Sequence, residues 1–160
     1  MTVFDRAHDM VIVQTLQPGV YKAATNGQAY VDTQGYKAAT IFIISGTITD
    51  GTNYPFIIND SSDHTNFNPV TTSPPLINTN ITMDGSTSMN APGTVATITT
   101  VSQTFVQSTD GNSQRRFGYV GPNRYLRVDV GTVTGTPGTG GVFAAFVVLS
   151  EPDVKPAVQS

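Results

Sequence analysis

The chain has 160 residues, 12% of them charged and 38% hydrophobic, with a formal net charge of −3. Charged residues stand at about half their usual frequency, cysteine and tryptophan are absent, Glu151 is the single glutamate, and threonine occurs 24 times. This composition excludes a helical bundle, a disulfide framework, a thiolate metal site and a cysteine nucleophile, and it supplies no basic field to gather nucleic acid.

Taken in chain order, residues 1–13 read as an extended N-terminal arm, with Asp5, Arg6 and Asp9 mixing charges and no basic-then-apolar leader of the kind a signal peptide has. Short apolar or alternating runs then recur between Gly, Pro, Asn and Asp punctuation, the pattern of an antiparallel sandwich. About eight strands are predicted, over residues 10–16, 30–32, 38–48, 54–59, 94–106, 116–120, 125–133 and 142–150. Turn chemistry falls between them at Asn26-Gly27, Asp50-Gly51, Asp110-Gly111 and Gly121-Pro122-Asn123. The strong runs on either side of Asp50-Gly51 predict a hairpin there.

Residues 41–44 and 142–149 have no polar phase, so both of their faces are expected to be covered. One face meets the core, and the other lies under a loop of the same chain or against an identical subunit. Over 125–133 the alternation is clean: Leu126, Val128 and Val130 point inward, leaving Tyr125, Arg127 and Asp129 toward solvent or an interface. Residues 71–93 form a long polar excursion within the 14–150 sandwich domain, 132–141 a flexible hairpin tip, and 151–160 a non-helical tail. The longest apolar run is too short to span a bilayer, and no membrane partner is expected.

Catalytic signatures are absent. The chain has no G-x-S-x-G elbow, H-E-x-x-H pair or phosphate-cradling loop, and His8 and His64 are its two histidines. Ser61, Ser62, His64 and Asp60 share one turn, but neighbours in a turn seldom attain triad geometry. The same turn, 59–68, gathers the oxygen donors Asn59, Asp60, Asp63, Asn66 and Asn68 without the spacing or glutamate of an EF-hand. Turn chemistry accounts for those residues, so no metal or cofactor is predicted. The aspartates sit mostly in turns, which argues against a glycoside hydrolase and for a protein that is not an enzyme. Arg115, Arg116, Arg124 and Arg127, interleaved with Phe117, Tyr119 and Tyr125, form the one cluster of charge, read as a solvated strand face, an interface or an anion or sugar platform.

Several strings carry a resemblance: Val31-Asp32-Thr33-Gln34-Gly35-Tyr36-Lys37-Ala38-Ala39, Ile48-Thr49-Asp50-Gly51, and Ser62-Asp63 followed by Phe67 and Val70. Arg116-Phe117-Gly118-Tyr119-Val120-Gly121, Arg124-Tyr125-Leu126-Arg127-Val128, and the run from Gly141 to Leu149 followed by Pro152 extend it over most of the chain. In these the chain resembles small virion structural proteins of tailed bacteriophages and gene transfer agents, of the capsid-decoration or head-spike base type. It departs from their pattern in a longer 71–93 stretch. The resemblance implies an all-β, jelly-roll-like sandwich, made in the host cytoplasm and carried on the capsid surface. It further implies a homo-oligomer, trimeric or pentameric, that binds the major capsid protein and can carry a fibre protein. Phe4, Asp5, Arg6 and Met10 of the arm, with Arg115, Arg116, Tyr119, Arg124 and Arg127, are the expected oligomer or capsid contacts. The alternative is a carbohydrate-binding sandwich of a receptor-binding fibre or spike, for which Arg-Tyr-x-Arg and its aromatic neighbours suit sugar recognition.

Overall fold

A computed structural model of the chain describes residues 9–70, 76–79 and 103–153. Among the described residues the strands are β1 (Met10–Tyr21), β2 (Val31–Asp32), β3 (Tyr36–Ile48), β4 (Asn53–Ser61), β5 (Asn68–Pro69), β6 (Leu76–Thr79), β7 (Thr104–Val106), β8 (Gln114–Tyr119), β9 (Tyr125–Val130) and β10 (Gly141–Pro152). They form two antiparallel sheets, the first in the order β1-β10-β3-β8-β6 and the second in the order β2-β9-β4-β5, with β7 also paired to β4. The expected all-β sandwich is therefore present.

Period-two alternation builds the core. On β10, Phe143, Ala145, Val147 and Leu149 are buried; on β3, Ala39, Ile41 and Ile43; on β9, Leu126, Val128 and Val130. Between the sheets Phe143 packs 5.0 Å from both Tyr54 and Phe56 and 5.6 Å from Phe105, centroid to centroid. Tilted and edge-on rings of this kind interlock through their quadrupoles as well as through buried area.

Several expectations are corrected. β3 and β4 do not pair, because β10 and β8 occupy the two edges of β3 and β4 joins the other sheet. Asp50-Gly51 is thus a crossing between sheets rather than a hairpin. Gly51 is needed there for two reasons: its φ is 84°, and a Cβ would meet the Tyr54 hydroxyl at 2.7 Å. Residues 132–141 are likewise a crossing, from β9 to β10. The Asp50 carboxylate pins it by accepting the N–H groups of Gly138, Thr139 and Gly140 at 2.6–2.9 Å.

Strand β1 begins at Met10, so residues 10–13 belong to the sandwich, paired along β10. Within the 71–93 excursion, Leu76–Thr79 extends the first sheet beyond β8. The rest of that excursion, residues 94–102 of the predicted strand and residues 154–160 of the tail lie outside the described residues, while Glu151 and Pro152 end β10. On the Tyr125–Arg127–Asp129 face, Asp129 alone is not left to solvent: it is 7% exposed, accepting from Gly27 N–H (2.7 Å), Asn59 Nδ2 (2.8 Å) and Arg127. The loop through Asn26-Gly27 closes over it. A Cβ at Gly27 would meet the carbonyl oxygens of Val128 at 2.4 Å and Thr15 at 2.9 Å, so only glycine allows that approach.

Candidate functional site

A sandwich has two outer faces, and each carries a distinct surface here. On the first sheet, register puts Gln14, Phe146, Phe42 and Arg116 in one row across β1, β10, β3 and β8, and Ile12, Val148, Thr40 and Gly118 in the next. Phe42 and Phe146 stack at 5.1 Å with their planes 12° apart. Ile12 is 67% exposed, Val120 58% and Val142 40%. The rows enclose an open depression of about 590 Å³, lined by Met10, Ile12, Phe42, Arg116, Val120 and Val148 among others. These are the non-core phases of the two runs that showed no polar phase in the sequence. No loop among the described residues lies over them as an answering layer, and Arg116 is the one charged side chain in the lining.

The predicted site residues scatter. β8 belongs to the first sheet and β9 to the second, so the turn through Gly121-Pro122-Asn123 sends the arginines apart. Arg115 points inward: it is 8% exposed, pairs with Asp110 at 2.9 Å, donates to the Thr104 carbonyl and lies 4.3 Å above the Phe105 ring. It is tied into the core, and little of it is left to meet a partner. Arg116, its neighbour, faces the apolar depression together with Met10. The Tyr119 hydroxyl donates to Asp60 at 2.7 Å, and burial first, then this carboxylate, raises its pKa well above that of a free phenol. Phe4, Asp5 and Arg6 lie outside the described residues.

Arg124 and Arg127 reach the outer face of the second sheet. Arg124 forms a two-pronged pair with Asp32, through Nε at 2.7 Å and Nη2, and this hydrogen bonding holds the Asp32 carboxyl below the usual aspartate range. Arg127 makes a similar pair with Asp129, at 2.8 Å on both prongs, and its guanidinium lies 4.4 Å above the Phe67 ring. Around them gathers an aromatic group that the sequence did not disclose. Tyr30 stacks on His64 (5.6 Å, 17°), meets Tyr125 edge-on (5.5 Å) and tilts toward Phe67 (6.3 Å); His64 also meets Tyr125 edge-on at 5.4 Å. Tyr30 remains 46% exposed, and His64 is exposed as well.

The turn that presents His64 is built by Asp63. Its carboxylate accepts Asn66 N–H (2.8 Å), Thr65 N–H (3.0 Å), the Ser61 hydroxyl (2.8 Å) and Asn66 Nδ2 (2.7 Å), and these bonds, the Asn66 N–H foremost, hold its pKa well below the ordinary value. Such an Asx turn fixes the backbone around His64, whose φ of 53° is left-handed and unfavourable for a side chain with a Cβ. The Asp60 and Asp63 carboxylates of this turn accept from protein donors, and among the described residues no group of three or more His, Asp or Glu side chains is placed to hold a metal ion. Nor do Ser61, His64 and Asp60 form a relay: Ser61 donates to Asp63, Asp60 accepts from Tyr119, and His64 stacks on Tyr30. Asn59 is buried as well, its amide donating to Asp129 at 2.8 Å.

No protein-family model matches the chain, and no curated protein matches it. Among solved structures, it is similar to the crystal structure of SPBc2 prophage-derived protein YomS, at 11% identity with a TM-score of 0.48, over 93% of this chain and 100% of that one. The two outer faces therefore carry the functional reading.

Proposed function

We propose that the protein is a non-enzymatic structural subunit of a phage virion, a decoration or head-spike base component that assembles with copies of itself and binds the major capsid protein. The observation that carries the reading is the apolar outer face of the first sheet, on which Ile12, Val120 and Val142 stay exposed. The strands β1, β10, β3 and β8, of 12, 12, 13 and 6 residues, at about 3.3 Å per residue and about 4.8 Å apart, give a face of roughly 680 Å², on which Gln14, Thr40, Arg116 and Ser150 interrupt the apolar side chains. A stable interface takes about 800 Å² from each partner, a size that this face approaches. The scarcity of charge in the lining favours the same conclusion, because few charged groups need be desolvated when a second copy covers it.

A face that meets its own copy closes a two-fold pair, whereas a ring of three or five requires it to meet a different patch on the next subunit. The virion context is supported by the strand and turn strings that resemble phage and gene-transfer-agent structural proteins, and many-copy display suits individually weak contacts. Light scattering across a concentration series tests self-assembly, with a multiple of the chain mass expected and a monomer at all concentrations overturning it. Co-sedimentation with empty capsid shells tests the second half. The chain is expected to pellet with shells and a variant lacking residues 1–9 to stay in the supernatant; equal pelleting would remove the arm as the anchor.

A further inference from the structure

The outer face of the second sheet lies opposite the proposed assembly face, so an assembled subunit would keep it free. Its aromatic group comes from three separate segments: Tyr30 before β2, His64 and Phe67 from the turn after β4, and Tyr125 at the start of β9. Burial does not explain Tyr30, which keeps 46% of its surface in water while its neighbours hold its ring in place. His64 adopts a left-handed backbone within a turn fixed by four hydrogen bonds to Asp63. Strained residues persist where the surroundings impose them, and this turn imposes an exposed imidazole stacked on an exposed phenol.

Beside the rings stands a row of fixed polar groups. The Arg124–Asp32 pair is 43% and 40% exposed at its side chains, offering donors and an acceptor at one edge, and Arg124 itself lies 5.0 Å from the Tyr125 ring centre. Rigid rings edged by a preorganised donor–acceptor pair match a pyranose, whose C–H face is apolar and whose hydroxyls donate and accept at the rim. Charge then narrows the class. Asp32, Asp63 and Asp129 stand against Arg124 and Arg127, so the surface carries no excess of positive charge to select a carboxylated or sulfated sugar.

We propose that Tyr30, His64 and Tyr125, with the Arg124–Asp32 pair, form a platform that binds a neutral hexopyranose glycan. Tyr30 and His64 supply the stacking surface. Asp32 accepts from, and Arg124 donates to, adjacent hydroxyls. Binding is weak per subunit and gains strength from display in several copies, as suits attachment to a polysaccharide-coated surface.

The test is a titration of the full chain, followed by isothermal calorimetry and by chemical-shift changes, with glucose, galactose and N-acetylglucosamine disaccharides and with sialyllactose as the charged control. Saturable binding of a neutral disaccharide is expected, weakened about tenfold or more in Tyr30→Ala, the loss of one stacked ring, and retained within about threefold in Tyr30→Phe, which keeps it. A thermal melt identifies any variant that has lost its fold, and Arg124→Gln, at an exposed side chain, provides a second reading at the polar edge. Absence of saturable binding to every neutral disaccharide, binding indifferent to Tyr30→Ala and Arg124→Gln, or preference for sialyllactose would overturn the proposal. These outcomes are independent of the mass measured by light scattering, so failure here and failure of the assembly reading are distinguishable.

Discussion

Ile12 gives the sharpest test of the assembly face. It lies on edge strand β1 with 67% of its surface exposed, beside Val148 of β10 and within the apolar depression. Complete burial of such a side chain is worth about 1.5–3 kcal/mol, so covering the two-thirds still in water contributes about 1–2 kcal/mol per copy. A two-copy contact counts it twice, about 2–4 kcal/mol, or roughly 30- to 700-fold in the dissociation constant. Ile12→Asp should remove that gain and add an unpaired charge to the interface. The monomer, which buries little of Ile12, should lose no more than the roughly 1 kcal/mol span of strand propensity. Sedimentation equilibrium measures the association and a urea melt the fold. Val120→Asp, in the same depression but beyond the end of β8, gives the same test without touching a strand. If both variants stay folded and associate as tightly as the parent, the face is not the assembly surface.

Gly27→Ala should destabilise the sandwich by about 1–3 kcal/mol, because the new Cβ would meet two carbonyl oxygens at 2.4 and 2.9 Å; an unchanged urea midpoint would contradict this. Arg115→Leu should cost about 3–5 kcal/mol by leaving Asp110 as an uncompensated charge where the pair is 9% and 13% exposed, with part of the loss recovered in Arg115→Leu/Asp110→Leu. A loss under about 1 kcal/mol in the single variant would show the pair to be solvated. Acid should weaken the fold. The Asp63, Asp50 and Asp32 carboxyls are all lowered by hydrogen bonding in the native state, so each contributes stability above the unfolded-state value of about 3.9. That contribution is lost as pH falls from there toward the lowered native values. Melts at about pH 7 and pH 3 should show a lower Tm in acid, with the difference reduced in Asp50→Asn; equal Tm values would refute the assignment.

Much of the core was legible because it rests on local alternation. Leu126, Val128 and Val130 are inward as their spacing predicts, whereas which phase of 142–149 faces the core was not readable from a run without polar residues and proves to be Phe143, Ala145, Val147 and Leu149. The missing polar phase of 41–44 and 142–149 was likewise a readable sign of a second apolar face. The functional residues were less legible. Arg115 and Arg116 are adjacent in the chain, yet one is buried against Asp110 and the other faces the depression, because neighbours on a strand point to opposite sides. Arg124 and Arg127 joined a different sheet altogether. The Tyr30, His64, Phe67 and Tyr125 group draws on residues as far apart in the chain as 30 and 125, and nothing in the sequence around any one of them marks the other three.

Composition and period-two patterning, by themselves, determined that this chain is a strand-built sandwich with Leu126, Val128 and Val130 inward, since side-chain alternation is a property of each strand alone. Which strands share a sheet was decided only in three dimensions. Backbone N–H and C=O groups pair with any extended partner, so the Asp50-Gly51 corner became a crossing once β10 and β8 had taken both edges of β3. The same choice divided one arginine-rich stretch between two faces, leaving an apolar surface on one side of the molecule and an aromatic, hydrogen-bonding surface on the other.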